Sequence, residues 1–443
     1  MRPRIPKLSV IVALAFAGCA IHPEGEREER EKIDAAGARY EQRAPLPPLP
    51  EKPAVEDYLR HAFLANADLE ARYWEWKAAI EQVPQDASLP NAAISFDYMF
   101  SGGNMKAWDR TTLGIANDAM TNIPFPTKLA TAGRRALEVA RAAGLRLEAA
   151  KFILQRNVLS TYYDLALLAE SIRLQEENVA LRGIIVDLAE VRVGAGTSPQ
   201  QELLAAQTAL DLARNELENL KSRVPSLAAG LNALVGREPH APVPLPDVLP
   251  APRPLPLADA DLIRLGSERS PELAALARGV AGRQEALSLA QQAYIPDFGL
   301  SFSFTGSVSQ TVGAMLTVPL RLEAIQAGVA QARAGLNAAQ AAKTQYARDL
   351  AASFVLNLTV LRNDERQIAL LEEAIIPRAR QTVALARTSY AAGRSAFSEL
   401  IDAQRTLLDA RLVLAQLKIE REKALAALES MAAVDVEVMI AKP

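Results

Sequence analysis

Apolar residues recur at steps of three, four and seven along two long stretches, which predicts helices with buried faces. The first runs from about Leu129 to Val193 and the second from about Glu323 to Ala392, with no internal proline before Pro377. At ~1.5 Å per residue each would extend roughly 100 Å, longer than a globular domain is wide. Leu154, Val158, Leu165, Leu168, Ile172 and Val179 form one stripe, and Leu167, Leu174, Leu181 and Leu188 a second, set well round the helix. Two stripes suit a helix packed on both flanks, as in a bundle or a cylindrical wall. Pro225 and Pro377 should kink their helices or break them.

A different period precedes each helical stretch. Ile94, Phe96, Tyr98 and Phe100 alternate with Ser95, Asp97 and Met99, and Leu113 and Ile115 alternate with Thr112 and Gly114. In the second half Phe298, Leu300, Phe302 and Phe304 alternate with Gly299, Ser301 and Ser303, followed by Val312, Ala314, Leu316 and Val318. A period of two predicts strands with one apolar and one polar face. Two readings fit. The strands pack as hairpins on a soluble helical protein, or their apolar face meets lipid and their polar face a water-filled lumen. Four strands cannot close a barrel, and open edges are not tolerated in hydrocarbon, so the second reading obliges several chains to share one barrel.

The chain also repeats itself. Val186–Arg214 (VDLAEVRVGAGTSPQQELLAAQTALDLAR) aligns without a gap on Val383–Arg411 (VALARTSYAAGRSAFSELIDAQRTLLDAR), 197 positions later. Gly196, Ser198, Glu202, Gln207 and Arg214 are among the residues that recur in register. Each copy reads as helix, glycine break and second helix. Gly196 and Gly393 supply a left-handed helix cap, and Ser198 and Ser395 the next N-caps. The motif is a helical hairpin with a tight tip.

Composition narrows the class. Half of the 443 residues are hydrophobic and only 5% aromatic, which favours packed helices over a β-rich core. A formal charge of −3 gives no reason to expect nucleic acid as a partner. His22, His61 and His240 have no ligand or triad spacing, so neither a metal site nor a catalytic site is expected, and no cofactor. The single cysteine, Cys19, excludes an intrachain disulfide. It follows Arg2, Arg4, Lys7 and the apolar run Leu8–Phe16, the layout of a bacterial export signal. Phe16-Ala17-Gly18-Cys19 looks like a lipobox with Phe16 where Leu is usual, which would acylate Cys19; Ala15-Phe16-Ala17 also offers an ordinary cleavage site. Residues 23–52, charged and then proline-rich, read as an extended tether.

The order helix, strand pair and long hairpin, given twice, resembles the TolC-like outer membrane efflux family, in its lipoprotein-type branch. The carriers are Tyr390–Arg411 and its first-half counterpart, with IPFPTKL (Ile123–Leu129) and TVPL (Thr317–Leu320); the likeness covers roughly residues 53–435. It implies a mainly α, internally duplicated protomer whose hairpins build a periplasmic α-barrel. Its four strands would join a trimeric twelve-stranded outer-membrane β-barrel. On this reading residues 1–18 are a signal peptide and 19–52 a lipid-anchored N-terminal tether. The first repeat is 53–240, with strands at about 92–117 and a hairpin at about 128–235. A Pro-rich joint follows at 241–257. The second repeat is 258–435, with strands at about 297–319 and a hairpin at about 323–432, and 436–443 is a tail.

The resemblance further implies a homotrimer in the outer membrane of a Gram-negative bacterium, contacting its lipid and extending into the periplasm. A periplasmic adaptor and an inner-membrane pump would be its partners, and catalysis would be absent. The family narrows its periplasmic entrance with carboxylates just past the second tip, which here are Glu399 and Asp402, three apart on one helix face. Glu202 is the first-half equivalent, with Ala205 in place of the second acid. Where some members carry a linking Arg this chain has Ser395, with Arg394 beside it. The tips, Gly194, Gly196, Thr197, Ser198, Gly393, Arg394 and Ser395, are the expected adaptor-docking surface. Arg72–Asn91 is similar to the corresponding stretch of heavy-metal efflux members, but no metal-ligand cluster names a cargo. The competing reading is a periplasmic adaptor, which needs only one hairpin and a β-rich domain at its base.

Overall fold

A computed structural model describes residues 20–41, 46–100, 103–117, 122–254 and 258–433. The expected signal peptide, Cys19 and the tail at 436–443 lie outside the described residues. The chain forms two compact units. One comprises Met1–Gln42, Ala71–Leu147 and Pro271–Tyr346, the other Arg43–Glu70, Glu148–Ser270 and Ala347–Pro443.

In the first unit the charged segment expected to be extended is instead helical, as α1 (Glu26–Glu41). Glu26, Glu29, Ile33, Gly37 and Tyr40 are its buried residues, spaced by three and four along one face. That face packs on the helix α3, whose full span is Ala67–Asp86. Tyr40 stacks on Tyr73 with centroids 4.9 Å apart. Trp76 donates its indole N–H to Glu29 at 3.0 Å, and the Tyr73 hydroxyl donates to Glu41 at 2.5 Å. Buried carboxylates are tolerated because each is paired: Glu26 with Arg30 at 2.9 Å, Glu29 with Lys32 at 3.2 Å. The helix escapes the apolar pattern because its packed positions include two glutamates.

The same unit holds one four-stranded antiparallel sheet, ordered β1-β2-β3-β4. Its strands are β1 (Ala92–Tyr98), β2 (Thr111–Asn117), β3 (Asp297–Thr305) and β4 (Ser309–Thr317). β1 and β2 have 7 residues each, fewer than the ~9–11 of a tilted spanning strand. The helix α7 (Pro271–Gln291) enters β3, and α4 (Pro126–Gly194) leaves the sheet.

The second unit is helical. It contains α2 (Val55–Ala65), α5 (Gln200–Leu234), α6 (Asp259–Arg269) and α10 (Phe397–Ala432). It also holds α9 (Ile376–Ala391) and the later part of α8 (Leu322–Leu370). No break occurs at Pro225, which lies inside α5. The residue is exposed, so the carbonyl it leaves unpaired has water within reach. At Pro377 the helix is interrupted, by a π-helical turn over Leu371–Ile375.

A buried ionic cluster fixes the proline-rich joint to α10. Arg253 reaches Glu422 through Nε at 3.0 Å and Glu429 through Nη1 at 2.9 Å. Arg421 donates to the Arg253 carbonyl at 2.9 Å and to Glu365 of α8 at 3.1 Å. Glu422 and Glu429 are each only 2% exposed. Burial opposes the charge on Arg253, but the two carboxylates outweigh it and raise its pKa. Arg253→Met would remove the cation that Glu422 and Glu429 share and should destabilise the unit by ~3 kcal/mol. The expected readout is a clear drop in melting temperature, against an unchanged one if the cluster is inert.

Candidate functional site: the amphipathic sheet and the hairpin tips

The sheet register sorts side chains onto two faces across all four strands. Ile94, Ile115, Phe302 and Val312 form one cross-strand row, and Phe96, Leu113 and Phe304 another. The row between them is Ser95, Gly114, Ser303 and Thr311, and the row beyond Ile94 is Ala93, Ala116, Ser301 and Gly313. Directly paired residues share a face, so one face is Phe, Ile, Leu and Val, with Gln310 ending the second row, and the other is small and polar apart from Met315. On the polar face Thr112 and Thr305 bond through their hydroxyls at 2.9 Å. A Cβ on Gly114 would stand 2.5 Å from Ser95 Oγ, so a larger residue there needs that hydroxyl to turn aside.

The apolar face is bare: Ile94 is 79% exposed and Phe96 67%. Tyr98, Phe100 and Trp108 lie at one end of the strands, Phe125 and Tyr294 at the other. Nine residues of β3 at ~3.3 Å per residue and ~40° tilt span about 23 Å, close to the apolar band of a membrane strand. Among the described residues β1 and β4 each pair on one side only, leaving two open edges. No described helix is long and apolar enough to cross a membrane.

The IPFPTKL segment is where sheet turns into helix. Ile123 exchanges backbone hydrogen bonds with Phe298, at 2.8 and 3.1 Å. Lys128 Nζ, on the first turn of α4, donates to the Ile295 carbonyl and to Asp297 Oδ1, both at 2.7 Å. The lysine thereby neutralises an acid at the foot of β3.

In the other unit the two tips share one backbone geometry. Gly196 and Gly393 both have φ 70°, a left-handed conformation natural to glycine. Thr197 N–H bonds the Arg192 carbonyl at 3.0 Å and Gly196 N–H that of Val193 at 3.0 Å. Arg394 N–H to Ser389 at 2.9 Å and Gly393 N–H to Tyr390 at 3.0 Å repeat the pattern. This is a Schellman motif in both copies, so the glycine cap is as expected. The serine caps are not. Pro199 and Ala396 are the N-caps, at ψ 149° and 152°, and the buried Ser198 and Ser395 hydroxyls have no hydrogen-bond partner. Each helix starts one residue later than the serine reading requires, which moves both hydroxyls away from its free N–H groups. Gly194, Gly196, Thr197, Gly393 and Arg394 are exposed.

The three acids part company. Glu399 and Asp402 are exposed, on the side of α10 away from buried Leu400, Ala403 and Gln404. Glu202 is half-buried and accepts the Tyr390 hydroxyl at 3.3 Å. Tyr390 is fully buried, and Arg192 both donates to its carbonyl at 2.7 Å and lies over its ring at 4.4 Å. Ile185, Val186, Ala189, Ala206, Leu210 and Leu400 complete this core. The second tip is thus clamped by two side chains of the first. Sequence reasoning passed over Arg192 and Tyr390, since neither recurs 197 positions away; their only signal was that departure from the repeat. Among the described residues no group of three or more His, Cys, Asp and Glu is placed to hold a metal ion. His61 instead bonds the Val235 carbonyl at 2.9 Å.

The sequence profile described as "Outer membrane efflux protein" matches residues 58–237 and 262–434. "Fusaric acid resistance protein FusA" of Burkholderia cepacia is 26% identical over 353 residues, 70% of this chain. The match spans 65% of that relative's own length, less than two thirds of it. The solved outer membrane protein VceC of Vibrio cholerae superposes with a TM-score of 0.74 at 18% identity, over 86% of this chain and 96% of that one. CusC gives 0.73 at 17% over 88% and 99%, and the open state of the MtrE channel of Neisseria gonorrhoeae 0.72 at 16% over 86% and 89%. At such identities these likenesses establish the fold.

Tyr390→Phe should weaken the tip by ~1 kcal/mol, the worth of one hydrogen bond. Arg192→Ala should cost more, ~2 kcal/mol, because a charged donor and a ring contact go together. Faster amide exchange at Gly196 and Gly393 in that order checks this; equal exchange in both variants contradicts it. Burial first, then the Glu202 carboxylate, raises the Tyr390 phenol above its ordinary 10.0. The clamp's contribution is therefore full below that value and is lost only as pH rises through the higher folded one.

Proposed function

The chain belongs to the outer membrane efflux protein family, and from that premise we propose that it is the outer-membrane channel of a tripartite efflux system. On this reading it works as a homotrimer with a periplasmic adaptor and an inner-membrane pump, carrying small toxic compounds out of the cell. The observation that carries the reading is the sheet, with one bare apolar face, one small polar face and two open edges. Three such sheets joined edge to edge give a twelve-stranded barrel that is apolar outside and hydrophilic within. The adaptor reading lacks comparable support, because the family profile covers both halves and each half supplies a strand pair and a hairpin.

The channel does no chemistry; its residues set shape and field. Glu399 and Asp402 face away from their hairpin's core and would, in three copies, form two acidic rings that favour cations over anions. Glu202 takes a different part. Its bond to Tyr390 makes it a latch residue that holds the two tips together. The exposed residues Gly194, Gly196, Thr197, Gly393 and Arg394, with Ser198 and Ser395 behind them, form the surface offered to the adaptor. Cys19 is the proposed acylation site, which palmitate labelling would show by its loss in Cys19→Ser. A relative named for fusaric acid resistance supports a small organic cargo.

Purified protein in planar bilayers should give discrete conductance steps, and deletion of its gene should sensitise the cell to compounds it exports. In Glu399→Gln/Asp402→Asn the cation-over-anion permeability ratio should fall about threefold or more. Steps with an unchanged ratio would remove these acids from the gate, and no steps at all would remove the channel.

A further inference from the structure

The two hairpins share their tip geometry, and the arms leading to the tips differ in one interruption. In the second, Leu371–Ile375 is a π-helical turn closed by the Ile376 N–H on the Leu371 carbonyl. The counterpart 197 positions earlier, Leu174–Asn178, lies inside the uninterrupted helix α4. Pro377 explains the difference. It has no N–H to give the Glu373 carbonyl, and its ring would strike that carbonyl in a regular α-helix. A wider turn just before the proline moves the carbonyl aside. The first hairpin has Ala180 at the matching place and needs no such turn.

The surroundings leave this point free to change. Leu371 and Ile376 are buried against Ala410 and Leu417 of α10, a non-directional apolar contact that can stay closed while the turn changes phase. Outside it, Glu372 pairs with Lys418 at 2.6 Å with both side chains solvent-exposed, a contact that constrains little. Beyond the turn, α9 runs 16 residues to the tip, where Arg192 and Glu202 hold Tyr390. A hairpin of two packed helices bends only if one of them alters its length or phase. The π turn, whose hydrogen bonds span five residues, supplies that slack in one arm only.

We propose that Leu371–Ile375 is a hinge, on which the second hairpin's tip and its acids Glu399 and Asp402 swing when the Tyr390 clamp lets go. The inference rests on the channel reading and adds where the moving part is jointed. The clamp is the catch and the π turn the pivot. The helix carrying the acids follows because the seam at Ala410 and Leu417 ties it to the turn.

Hydrogen exchange on the full-length protein extracted from membranes tests the hinge without any substitution. Backbone amides of 371–376 and 378 should exchange about tenfold faster than those of 174–179 and 181. In Arg192→Ala the excess should grow, while 350–365 stays as protected as before. Equal protection of the two matched segments overturns the hinge, as does a uniform rise along the helix in Arg192→Ala. Pro377→Ala restores a backbone donor. It should slow exchange at the turn and reduce the open-state occupancy of Arg192→Ala in bilayers, with the melting temperature little changed. A shift in melting temperature with unchanged occupancy would make the turn structural and end the proposal. Absence of conductance in every variant would instead strike the channel reading, which the exchange comparison does not depend on.

Discussion

An open sheet edge cannot be left in hydrocarbon, and most of this chain's organisation follows from that constraint. Each unpaired N–H and C=O there costs several kcal/mol. The four strands pair with one another in register and keep their large apolar side chains on one face, Met315 excepted, yet among the described residues β1 and β4 each retain one free side. On the proposed channel reading, copies of the same chain would satisfy those edges. The duplication then has a physical sense, since two strand pairs per chain reduce the number of copies needed to close a ring.

Each junction is fixed by a few strong contacts. Lys128 ties the first turn of α4 to the foot of β3, so the strand and the helix behind it move as one piece. The clamp of Arg192 and Glu202 on Tyr390 does the same for the tips. Arg253 and Arg421, buried with Glu422 and Glu429, hold the joint between the halves to α10. Each contact couples segments far apart in sequence. A change at one is therefore felt by a whole hairpin rather than by a single turn.

Much of the fold was legible because it rests on local periodicity. Alternation revealed the strands since successive side chains of a strand point to opposite faces, here one apolar and one polar, and the tips were visible since only glycine adopts φ 70° at no steric cost. What escaped depended on partners distant in the chain. The helix Glu26–Glu41 hides behind glutamates that bond Trp76 and Tyr73, 47 and 32 residues from Glu29 and Glu41. Ser198 and Ser395 looked like caps, but each stands one residue too early. Glu202 matched Glu399 by position in the repeat and differs from it in use, because a tyrosine stands opposite. Pro377 announced an interruption without saying that it would be a π turn in place of a break.

The claim that the rest hangs on is assembly through the free edges of β1 and β4. Native mass spectrometry of the chain extracted from outer membranes in mild detergent measures it directly. The account predicts one species at about three times the protomer mass, which is 47.8 kDa before processing and any acylation, falling to monomer on heating. A monomer that stays in aqueous solution without detergent would contradict it, since its open edges and bare apolar face would then have no membrane to explain them.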